Sequence, residues 1–154
     1  MNFDGVDSFD QLFEAIYKGD QSAKDLSFKV LQIVHTWDDL IDKDKPVDDE
    51  DIHKAFINAL FGCQQYRIWH DAGLQYHMMN VYLRWRDATT IEADKNSTDD
   101  DLLKCYMLRA GFYDLFVLIA FHMFGMEWAA EIGPLVRKYY GETPKDYLEE
   151  MRNE

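Results

Sequence analysis

The sequence of 154 residues is poor in cysteine, proline and glycine, with two, three and eight of each. Two cysteines are too few for a disulfide framework or an all-cysteine zinc site. Cys63 and Cys105 each lie in an apolar run, which predicts buried thiols in a reducing cytoplasm. The first residues show no basic region followed by an apolar core, so no signal peptide is predicted.

Positive charge is also scarce. Lysine and arginine number 16 against 29 acidic residues, which leaves a formal net charge of −13. This balance excludes direct binding of nucleic acid through its phosphates and disfavours anionic membranes. It suits cations, basic proteins or mimicry of DNA. Hydrophobic residues make up 47% of the chain, so an intrinsically disordered protein is excluded as well.

The alternating β-branched runs that mark strands are lacking, and the pattern is helical throughout. Helix starts are predicted at Ser8, at Ser22, at Asp48 and at Ser97 or Thr98, because these side chains can cap a helix. A later helix over about 127–140 is predicted to be interrupted at Gly133–Pro134. We predict an all-α fold, a compact bundle of six or seven helices forming a single domain over residues 1–154.

A long apolar helix is predicted over about 98–124, ending at Gly125. It is long enough to span a bilayer. Lys104, Arg109 and Asp114 lie within it, however, and charged groups are costly in lipid. We therefore predict the central helix of a bundle and no membrane span. Arg109 and Asp114 are about 140° apart around the helix, so each needs its own partner.

The end of the second predicted helix carries the acidic run Asp38-Asp39-Leu40-Ile41-Asp42-Lys43-Asp44. On a helix Asp38, Asp39 and Asp42 all lie within about 60° of His35. Apolar residues in the first half of the same helix lie on the same side as these carboxylates. This arrangement predicts that the carboxylates lie at the mouth of a cleft. Such a cluster is either a solvated outer face or a site for a hard cation such as Mg²⁺.

This run resembles the first Asp-rich motif of class I isoprenoid (terpenoid) synthases. The resemblance covers about a tenth of the chain and implies Asp38, Asp39 and Asp42 as ligands of Mg²⁺ or Mn²⁺. It implies a phosphate- or diphosphate-bearing ligand held by the metal. Candidates for the other half of the site are His35 and four residues of later helices: Asn80, Arg84, Asp87 and Arg109. For Arg109 the alternative is a structural ion pair.

Two metal-dependent phosphohydrolases are alternatives. His70-Asp71, with His35 upstream and Asp87 or Asp114 downstream, resembles the ligand set of HD-domain enzymes, which bind a divalent metal and a nucleotide. All-α pyrophosphatases also use helical acidic clusters with Mg²⁺. Whether any reaction is catalysed is left open by the residues themselves.

An alternative from another class is a non-catalytic, acidic interaction module, such as a DNA mimic or inhibitor. The run Asp48-Asp49-Glu50-Asp51 lies at a helix start, where negative charge favours the helix dipole. Together with Asp99–Asp101 it contributes to an acidic surface. Such a surface predicts a basic protein as the partner.

Overall fold

The computed structural model describes residues 5–153, and this range is helical with no β-strand. The predicted all-α class is confirmed. The described range contains nine α-helices: α1 (Phe9–Ile16), α2 (Gln21–Asp42), α3 (Asp49–Ile57), α4 (Arg67–Asp71), α5 (Leu74–Ala93), α6 (Asp99–Ala110), α7 (Asp114–Phe124), α8 (Met126–Tyr139) and α9 (Pro144–Asn153). A π-helical turn (Asn58–Gly62) and a 3₁₀ turn (Cys63–Gln65) follow α3.

This division agrees with the predicted six or seven helices. A 3₁₀ turn at Gly111–Tyr113 joins α6 to α7, and the three run as one helix over Asp99–Phe124. That is the long apolar helix expected at about 98–124. α4 is a single short turn of five residues. Counted in this way, the described part of the chain has seven helices of more than one turn.

The predicted helix starts at Ser8, Asp48 and Thr98 are confirmed, whereas α2 begins at Gln21 with Asp20 as its cap rather than at Ser22. The Ser8 hydroxyl accepts a hydrogen bond from the backbone N–H of Gln11, and Asp48 accepts one from Glu50. Thr98, rather than Ser97, caps α6. The Thr98 hydroxyl accepts a hydrogen bond from the backbone N–H of Asp101. In return, the Asp101 carboxylate accepts one from the backbone N–H of Thr98. These caps satisfy backbone donors that the first turn of a helix leaves without a partner.

The predicted interruption at Gly133–Pro134 is wrong, because α8 continues through Pro134. A proline removes the hydrogen bond to the carbonyl four residues earlier, here Ala130. Both Ala130 and Pro134 are exposed. Water can therefore bind the released carbonyl, while Ile132 and Val136 keep the opposite face of α8 buried.

The chain divides into two compact units, residues 1–73 and residues 74–154, and each is described by itself. The expected single domain over 1–154 stays a prediction. In the first unit α1 packs on α2. Leu12, Phe13 and Ile16 are fully buried there together with Leu26. The core also holds one polar pair, because the Tyr17 hydroxyl and Ser27 share a hydrogen bond of 2.7 Å.

In the second unit α5 packs on α6, α7 on α8, and α9 on α6. One buried cluster joins three of these helices and consists of Ala88, Leu102, Cys105 and Tyr147. Cys105 in this unit and Cys63 in the first are both buried free thiols, as predicted. Helices α5, α6 and α9 therefore each contribute apolar side chains to a buried cluster.

Among the described residues, the helix Asp99–Phe124 has the length and apolar composition to cross a membrane. About a third of its most apolar stretch is buried. Arg109 and Asp114 within it both have ion-pair partners on other helices of the second unit. This pairing is compatible with the prediction that the helix does not span a membrane.

Candidate functional site

The acidic run lies on the last turn of α2, as the sequence predicts. Asp38 and Asp39 are half-buried, whereas Asp42 and His35 are exposed. The helix ends at Lys43, which adopts a left-handed conformation (φ 57°) and donates its backbone N–H to the Asp39 carbonyl. The turn after the helix thereby folds back towards Asp39.

Asp39 forms an ion pair with Lys45, with 3.1 Å between Nζ and the carboxylate oxygen. Hydrogen bonding to this carboxylate raises the pKa of Lys45. Desolvation lowers the pKa of nearby His35, and the charge of Asp39 opposes that effect. Its imidazole ring lies 6.3 Å from the Phe9 ring. At least one carboxylate of the run is therefore neutralised by a lysine from the same turn.

A shallow cleft of about 340 Å³ opens beside this turn. It is lined by Asp39, Leu40, Lys43, Asp44, Lys45, Pro46 and Val47. Of the three predicted metal ligands only Asp39 lines it. Across residues 5–153, no group of three or more His, Cys, Asp or Glu side chains is arranged to hold a metal ion. The cleft thus combines two carboxylates with two ammonium groups.

The His70-Asp71 pair is engaged in local contacts. The His70 ring nitrogen Nε2 lies 2.8 Å from the carbonyl oxygen of Gln64. Asp71 accepts a hydrogen bond from Arg67, one helical turn earlier. These contacts are typical of a helix boundary, and the role of the pair in a hydrolase site stays a prediction.

Arg109 lies in the second unit, in a nearly buried ion pair with Glu92. Nε and Nη2 of Arg109 each donate to a different carboxylate oxygen, at 2.8 and 2.6 Å, and both side chains are about an eighth exposed. The guanidinium also lies over the ring of Trp85, 5.3 Å from its centre. The Tyr147 hydroxyl donates to the same carboxylate. Of the two roles that the sequence left open for Arg109, this geometry favours the structural ion pair.

The remaining candidates lie on α5. Arg84 pairs with Asp114 at 3.4 Å, and Asp114 also accepts a hydrogen bond from Arg137 of α8. Arg109 and Asp114 therefore have different partners, as their angular separation predicted. Asn80 and Asp87 are exposed one turn to either side of Arg84. They share its face of α5.

The surface of α3 was missed at the level of sequence. No residue of α3 or of the π-helical turn is buried. Instead, five large apolar side chains are between 37% and 68% exposed: Ile52, Phe56, Ile57, Leu60 and Phe61. The sequence indicates this exposure, because Ile52, Phe56 and Leu60 share one side of the helix whereas Ile57 and Phe61 lie on another side. Apolar residues thus cover more of the helix than one core contact can bury.

Polar contacts hold α3 against α2. The Gln32 side-chain amide donates to the backbone carbonyl of Asp51 at 2.8 Å and accepts from the Asn58 amide at 3.2 Å. Gln32 and Asn58 are both half-buried. The helix is therefore held to its own unit by backbone and amide hydrogen bonds, while its charged and its large apolar side chains are both exposed.

Comparison of the chain with family models, with curated proteins and with solved structures gave no match.

Proposed function

We propose that this protein is an acidic interaction module that binds a basic protein through the exposed surface of α3. The observation that carries the proposal is the exposed apolar surface of α3 and the π-helical turn after it, which are anchored through Gln32 and Asn58 and present Phe56 and Leu60 to solvent. Contiguous exposed apolar side chains commonly mark a protein-binding surface. A cytoplasmic location forms part of the same proposal.

The charge beside this surface supports a basic partner. Asp48, Asp49, Glu50 and Asp51 are all exposed at the start of α3, one turn before the apolar side chains. An amphipathic helix carrying lysine or arginine at one end would place its apolar face on α3 and its charges beside these carboxylates. The acidic residues would increase the association rate, and the apolar residues would supply most of the affinity.

A pair of labelled peptides tests this proposal by fluorescence anisotropy. One is an amphipathic helix of lysine and leucine, and the other has the same composition in an order that removes the apolar face. We expect the first to bind more tightly, and Phe56→Ser with Leu60→Ser to weaken it by about tenfold or more. Met107→Ser, at a side chain 67% exposed in the second unit, is the matched control.

Charge reversal separates the two contributions. Asp49→Lys with Glu50→Lys should slow association and reduce its salt dependence, while the Asp48 cap stays intact. The proposal would be contradicted if both peptides bound with equal affinity and the α3 variants did not change it. Binding would then be explained by non-specific attraction to a chain of charge −13.

A second candidate function is binding of a phosphate- or diphosphate-bearing ligand with Mg²⁺ or Mn²⁺ at the end of α2. The observation in its favour is the cleft lined by Asp39, Asp44, Lys43 and Lys45. Carboxylate oxygens suit Mg²⁺, and ammonium groups suit phosphate oxygens. Asp38 and Asp42, on the same helical turn, would complete the ligand set that the isoprenoid-synthase resemblance implies.

Thermal unfolding tests this candidate, because a ligand that binds only the native state raises its stability. The melting temperature of the wild type should rise with Mg²⁺ or Mn²⁺ plus pyrophosphate. The rise should vanish in Asp38→Asn with Asp39→Asn. No rise in the wild type, together with a variant more stable than the wild type, would identify the acidic turn as a solvated face.

A further inference from the structure

Helix α5 carries apolar side chains on two opposite faces. The buried face consists of Leu74, Val81, Trp85 and Ala88. With about 100° of rotation per residue, Tyr76, Met79 and Leu83 lie roughly opposite this face. They are 72%, 52% and 50% exposed, respectively. Their spacing of three and then four residues is that of a seam between two packed helices.

The charges of α5 cancel, unlike those of the chain as a whole. The helix contains Arg84, Arg86, Asp87 and Glu92, and therefore has no net charge, whereas the whole chain has −13. Arg84 and Glu92 are engaged in ion pairs within their own unit. Two copies of a chain with so much negative charge repel each other, and a neutral helix with exposed apolar side chains is a surface at which that repulsion is smaller.

We propose that a second copy of this chain docks on this face, with the two α5 helices antiparallel about a two-fold axis near Met79. In a two-fold interface the same patch meets itself, so Tyr76 of one copy faces Leu83 of the other. An antiparallel arrangement keeps the two Arg86 side chains apart at opposite ends. A parallel arrangement would place them side by side and is disfavoured by like-charge repulsion.

The size of the patch determines how stable this dimer is. A stable complex buries roughly 800 Å² on each partner. A single helix of 20 residues presenting three or four large apolar side chains falls short of that. The dimer is therefore weak, and its population depends on protein concentration.

Sedimentation velocity of the full chain over a wide concentration range is the first test. The wild type should shift from monomer to dimer as concentration rises, and Leu83→Asp should abolish the shift. Met107→Asp, at an exposed methionine on α6, is the matched control and should still dimerise. Circular dichroism of each variant confirms that the helices are retained.

Cysteine cross-linking tests the geometry. Met79→Cys lies at the proposed axis and should form a disulfide-linked dimer under mild oxidation, whereas Lys138→Cys, exposed on α8, should not. Cys63 and Cys105 are buried and should contribute little background. A monomer at every concentration would overturn the proposal. A dimer lost in Phe56→Asp but retained in Leu83→Asp would also overturn it, by assigning self-association to α3.

Discussion

Helices α3 and α9 are similar in length and opposite in the way they pack. Each is short, amphipathic and acidic in its first turn. α9 buries Tyr147 in the cluster with Leu102 and Cys105. α3 buries none of its residues. An amphipathic pattern thus specifies that two faces exist, but not which one is covered.

The neighbouring helix accounts for the difference. α6 offers α9 an apolar surface at Leu102 and Cys105, and Asp99 forms an ion pair with Arg152 beside it. α2 instead offers α3 the Gln32 amide, which binds a backbone carbonyl and Asn58. These half-buried amides need hydrogen-bond partners, so α3 meets α2 through polar contacts and its large apolar side chains are left to solvent.

The largest effect is expected at the ion pair beneath α9. Arg109→Met leaves the carboxylate of Glu92 nearly buried without its counter-charge, and should lower the free energy of unfolding by about 3 kcal/mol. Arg67→Met is the control, since its pair with Asp71 is exposed and should cost at most about 0.5 kcal/mol. Urea denaturation measures both. Equal losses of stability in the two variants would mean that the nearly buried pair of Arg109 and Glu92 contributes no more than the exposed pair of Arg67 and Asp71.

The hydroxyl of Tyr147 should matter somewhat less. Tyr147→Phe keeps the packing of α9 but removes the hydrogen bond to Glu92, at a cost of about 2 kcal/mol. Tyr76→Phe, at an exposed hydroxyl, should be neutral. A neutral Tyr147→Phe would show that apolar packing alone holds α9.

A pH profile adds a second readout at this tyrosine. Burial raises the pKa of Tyr147 above its ordinary value of about 10, so the folded state keeps the neutral phenol. Stability from this group is complete below that ordinary value and is lost as pH rises above it, because the unfolded chain then ionises first. Tyr147→Phe should therefore show a shallower alkaline loss of stability than the wild type.

A smaller effect is expected where α3 meets α2. Gln32→Ala removes the hydrogen bonds to Asp51 and Asn58 and should cost about 1 kcal/mol. Hydrogen exchange should show the loss mainly in the amides of α3. Gln75→Ala, exposed at the start of α5, serves as control. Unchanged exchange in α3 would mean that Gln32 does not anchor it.

The smallest effect is expected on the outer side of the π-helical turn that follows α3. Leu60 is 63% exposed, so Leu60→Ala should change stability by no more than about 0.5 kcal/mol. Leu12→Ala, in the core of the same unit, should cost about 3 kcal/mol. Thermal unfolding compares the two. Similar losses would mean that Leu60 is covered in solution, and would remove the basis for a docking surface on α3.

The sequence by itself determined the helices and most of their ends. Caps such as Ser8 and Thr98 act within one turn, so local residues suffice to predict them. It also determined that Arg109 and Asp114 need separate partners, because helical rotation alone sets the angle between them. Pro134 was misjudged because the cost of a proline depends on whether the released carbonyl is solvated.

Tertiary structure alone decided where the faces and charges of those helices point. Glu92, far from Arg109 along the chain, becomes its partner, and Arg137 of α8 becomes a partner of Asp114. The exposure of Phe56 and Leu60 likewise appears only in the packed unit, where α3 meets α2 through the Gln32 amide. The physical reason is that local patterns specify backbone hydrogen bonding within a helix, whereas burial and ion pairing depend on which other helix is present to complete them.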